Sequence, residues 1–81
     1  MTEQQLIKLG FKQEPIASYT EDYYYFYPLV GELGLISCSL NEVQDGKWFV
    51  DVFDAYPTIR YYEYGDVSEL INAFKKGKIV K

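Results

Sequence analysis

Histidine is absent from the 81 residues, and a single cysteine, Cys38, stands alone. The first absence removes the commonest general base and the commonest transition-metal ligand together. The second excludes an internal disulfide framework and agrees with a reducing compartment. Apolar runs are strand-sized and broken by charge, so none could cross a bilayer as a helix. The opening MTEQQLIKLG also lacks the basic start and apolar middle of a secretory leader. A cytoplasmic protein with no membrane partner is expected. Basic groups are scarce as well. Residues 1–74 hold all twelve acids and four of the eight bases, a balance of −8, whereas 75–81 holds four lysines. A body of that sign repels phosphate backbones and argues against a nucleic-acid partner.

Apolar residues make up 48% of the chain and aromatics 19%, too rich in core-forming side chains for a disordered segment. One domain covering 1–81 is expected, since a chain this short has room for one core. Thr2 with Gln5 matches a capping box, Leu6 and Leu9 share a face, and Gly10 suits a helix end, so a helix over 3–9 is predicted. A second helix is predicted over 67–76, capped by Asp66 and Glu69. Val67, Leu70, Ile71 and Phe74 give it an apolar stripe.

Between the helices lie strand signals: FKQEPI at 11–16, YYYFYPL at 23–29, LGLISCSL at 33–40, KWFVDVFD at 47–54 and TIRYYEY at 58–64. Pro15 restricts the first to an edge or strand end, Pro28 marks the end of the second, and Asp45-Gly46 suits a tight hairpin turn. Short connections favour a meander. The predicted fold is α+β, a four- or five-stranded, mostly antiparallel sheet with both helices on one face.

The run YYYFY at 23–27 cannot hide on one side of a strand, because successive side chains alternate. Taking the more apolar row as covered puts Tyr24, Phe26, Ile36, Cys38, Trp48, Val50, Val52 and Ile59 beneath the helices. The other face then carries Tyr23, Tyr25, Tyr27, Leu35, Ser37, Ser39, Phe49, Asp51, Phe53, Arg60 and Tyr62. Within it Tyr23, Tyr25, Tyr27, Phe49, Asp51, Phe53, Arg60 and Tyr62 are the candidate partner-binding set, since amphipathic rings with one arginine suit a protein interface.

Catalytic and metal motifs are weaker. Ser37-Cys38-Ser39 has no histidine to activate it, and a buried small cysteine explains it better. Asp51 with Asp54 lies on opposite strand parities, Glu21 with Asp22 sits in a loop, and NEVQDG puts Val43 at a calcium-ligand position. The GELG turn at 31–34 would set Glu32 against phosphate. No enzyme activity, no cofactor and no metal is expected.

The combination of LIKLGFK, DYYYFY, LISC, WFVDVFD and DVSELINAFKK resembles a loose group of small bacterial and phage proteins without known activity. That resemblance carries over no catalytic or binding residue. It implies a context in which small acidic proteins act by binding a host protein. The expected function is a non-catalytic interaction domain that binds a protein partner, or forms a homodimer, through its aromatic sheet face. The alternative is an acidic inhibitor or nucleic-acid mimic that presents Asp22, Glu32, Asp45 and Asp54 to a basic groove of a host protein.

Overall fold

A computed structural model of the chain describes residues 1–17, 21–31, 33–53 and 55–77. Helix α1 (Glu3–Leu9) begins at the predicted capping box: Thr2 Oγ1 accepts from the Gln5 N–H, and Gln5 Oε1 accepts from the Thr2 N–H. It ends at Gly10 in the left-handed region, and the Phe11 N–H donates back to the Leu6 carbonyl. Leu6 and Phe11 are thereby turned into the core.

Five antiparallel strands follow in the sheet order β1 (Lys12–Pro15), β2 (Tyr23–Val30), β3 (Leu33–Ser37), β4 (Val50–Val52) and β5 (Arg60–Tyr61). This is a meander, as the short connections predict. Pro28 does not end β2 but lies within it, opposite Gly34, where the register slips by a bulge before Val30. The chain leaves β3 at Ser37 and makes one 3₁₀ turn, Leu40–Glu42. It then reverses at Asp45 and Gly46, both at positive φ, between the bridged Gln44 and Lys47.

The later strands are shorter than the predicted 47–54 and 58–64. At the end of the pair that holds Trp48 and Tyr62, Met1 intervenes: its carbonyl accepts from the Trp48 N–H, and its nitrogen donates to the carbonyls of Trp48 and Tyr62. Those backbone groups are therefore not free to pair β4 with β5. Helix α2 (Tyr64–Gly77) starts three residues before the predicted 67. The Val67 N–H bonds to the Glu63 carbonyl, and Asp66 lies in the first turn, where its charge suits the helix dipole without its being the cap.

Both helices pack on one face of the sheet. Leu6 and Phe11 from the first helix region and Val67 and Ile71 from α2 form one core with Tyr25, Leu35, Cys38, Trp48 and Val50. Leu6, Leu35, Val50 and Val67 are fully buried. Each such aliphatic side chain stabilises by about 1.5–3 kcal/mol through the surface removed from water. Among the described residues no helix is long and apolar enough to cross a membrane.

Candidate interaction surface on the open sheet face

Cross-strand registers decide which residues share a face. Lys12 pairs with Phe26, Phe26 with Ile36, Ile36 with Asp51 and Asp51 with Arg60, which makes one transverse row across all five strands. The neighbouring row runs through Gln13, Tyr25, Val50 and Tyr61, and Tyr25 and Val50 belong to the helix-covered core. The first row is therefore on the open face.

This overturns the sequence assignment of β2 and β3. Tyr23, Tyr25 and Tyr27, expected to bind a partner, face the helices, as do Leu35 and Ser37. Tyr24, Phe26 and Ile36, expected in the core, are on the open face. Cys38, Trp48 and Val50 are buried as expected and Val52 packs against the core, but Ile59 is 46% exposed.

A tyrosine can be buried when its hydroxyl finds an acceptor, and Glu3 in the first turn of α1 supplies it. Glu3 Oε2 accepts from the Tyr25 hydroxyl at 2.6 Å and the Tyr23 hydroxyl at 2.8 Å. Gln13 Nε2 donates to the Tyr25 oxygen at 3.4 Å. Burial and then the Glu3 carboxylate push the Tyr25 phenol up to about 12, and the bond to Glu3 is the chief cause that raises Tyr23. Trp48 stacks on Tyr23 and meets Tyr25 edge-on, while Tyr27 packs against Phe11. Ser37 is buried because its Oγ accepts the Tyr25 N–H and donates to the Cys38 carbonyl.

Of the remaining candidates, Phe49, Asp51, Arg60 and Tyr62 are in mutual contact on the open face, and Phe53 contacts Phe26 there. Arg60 holds Asp51 in a two-pronged pair, Nε to Oδ1 at 2.7 Å and Nη2 to Oδ2 at 3.1 Å, and Asp51 makes the guanidinium still harder to deprotonate. The same guanidinium lies 4.0 Å above the Phe49 ring, whose other neighbour is Tyr62 at 6.2 Å. Phe53 meets Phe26 edge-on at 6.4 Å. Phe26 can lie flat on the sheet because Gly34 is beneath it: a Cβ there would come within 2.7 Å of the ring. Phe26, Tyr24 and Ile36 are the members that sequence reasoning missed. Charge on this face cancels, with Lys12 and Glu14 at its β1 margin and Asp51 and Arg60 at the other.

At the end of the face a groove of about 880 Å³ is lined by Phe49, Arg60, Tyr62, Lys47, Asp45 and Glu63 among others, again with both signs of charge. Of the carboxylates considered for a mimic, Asp22 accepts the N–H groups of Tyr23 and Asn41 and Asp45 forms the hairpin turn. Glu32 and Asp54 lie outside the described residues. Burial pushes the Cys38 thiol up, away from the thiolate that nucleophilic chemistry needs. Among the described residues no cluster of three potential metal-ligating side chains occurs. No family model, no curated protein and no solved structure matches the chain, so the arrangement of these residues is what speaks to function.

Proposed function

We propose that the chain is a non-catalytic protein-interaction domain and that its open sheet face is the binding surface. The observation that carries this reading is one-sided cover. Both helices pack on the same face of a five-stranded sheet, and among the described residues the other face holds two ring pairs, Phe26 with Phe53 and Phe49 with Tyr62, and the ion pair of Asp51 with Arg60. Rings of this kind remove large apolar area from water at small entropic cost when a partner covers them. Among the described residues, four of the eight large exposed apolar side chains, Phe53, Tyr56, Ile59 and Tyr62, also fall within ten residues of this margin.

A photo-crosslinking amino acid at position 53 or, as a control, at the exposed Ile7 on α1 tests the reading in native cells. Cross-links to protein, a second copy included, are expected from position 53 and not from position 7. Equal yields at both positions, or none at 53, would remove the open face as the binding surface.

A further inference from the structure

We draw no further inference here: the strongest candidate, the ring patch of Phe26, Phe53, Phe49 and Tyr62 on the open sheet face with the groove at its end, carries nothing beyond the interaction reading, because nothing in the structure shows what covers the patch and the mixed charge of the groove selects no ligand.

Discussion

Glu3 is the residue on which the orientation of β2 turns. Its one carboxylate oxygen accepts from two phenols, and through Tyr25 it lets a polar group lie 3% exposed beneath a seven-residue helix. Removing the acceptor strands a buried donor, which costs about 1–3 kcal/mol, more than deleting the donor itself at about 1 kcal/mol. Glu3→Ala should therefore destabilise the domain more than Tyr25→Phe in urea unfolding, and the order reversed would refute the clamp. The pH dependence follows from the phenol. Tyr25 ionises at about 10 when unfolded and at about 12 when folded, so its contribution is fully present below pH 10. Above that the unfolded chain releases its proton first, and the contribution is lost as pH rises through 12. Thermal midpoints should fall over this window in the native chain and fall less in Tyr25→Phe.

At the scale of the elements, β3 makes the sharpest test of the register. Leu35 is fully buried and paired with Val52, whereas Ile36 lies opposite Asp51 on the open face. Leu35→Ala should cost about 3 kcal/mol, within the range for deleting a buried aliphatic side chain, and Ile36→Ala no more than about 1 kcal/mol. Comparable losses would mean that the register is wrong. Much of this architecture was legible in the chain: Thr2 and Gln5 mark the start of α1, Asp45-Gly46 marks the hairpin, and short connections imply the meander. The faces of β2 and β3 were not. Their two rows differ little in apolarity, Tyr-Tyr-Tyr with Leu-Ser against Tyr-Phe with Ile, so apolarity alone could not choose between them. Asp51 and Arg60 place their own row outside correctly, and whichever β3 residue faces Asp51 must be outside too. That residue is fixed by the β3–β4 register, Ile36 opposite Asp51, a pairing between residues fifteen apart that local patterning does not contain. Phe49, Asp51, Arg60 and Tyr62 needed no such information, and they are the candidates in mutual contact.

For the molecule as a whole, the question is how 81 residues hold a sheet with helices on one side. A chain of this length removes about 60–65% of its unfolded surface on folding, which leaves a small margin. Covering the open face would raise that margin by mass action, because a partner that binds the folded chain alone shifts the equilibrium by about 2.7 kcal/mol at a hundred times the dissociation constant. For a domain of this size each kcal/mol moves the unfolding midpoint by about 4–8 °C. If the covering partner is a second copy, the midpoint must depend on the protein's own concentration. It should climb by about 10 °C or more between a solution well below the dimer dissociation constant and one a hundredfold above it. Phe53→Ser and Tyr62→Ser should flatten that dependence while leaving the dilute midpoint in place, since both side chains are largely exposed in the monomer. Calorimetry across a dilution series reads both quantities at once. A midpoint independent of concentration in the native chain would show that the sheet is stable with one face in water, its rings resting on Gly34, on one another and on the Arg60 guanidinium.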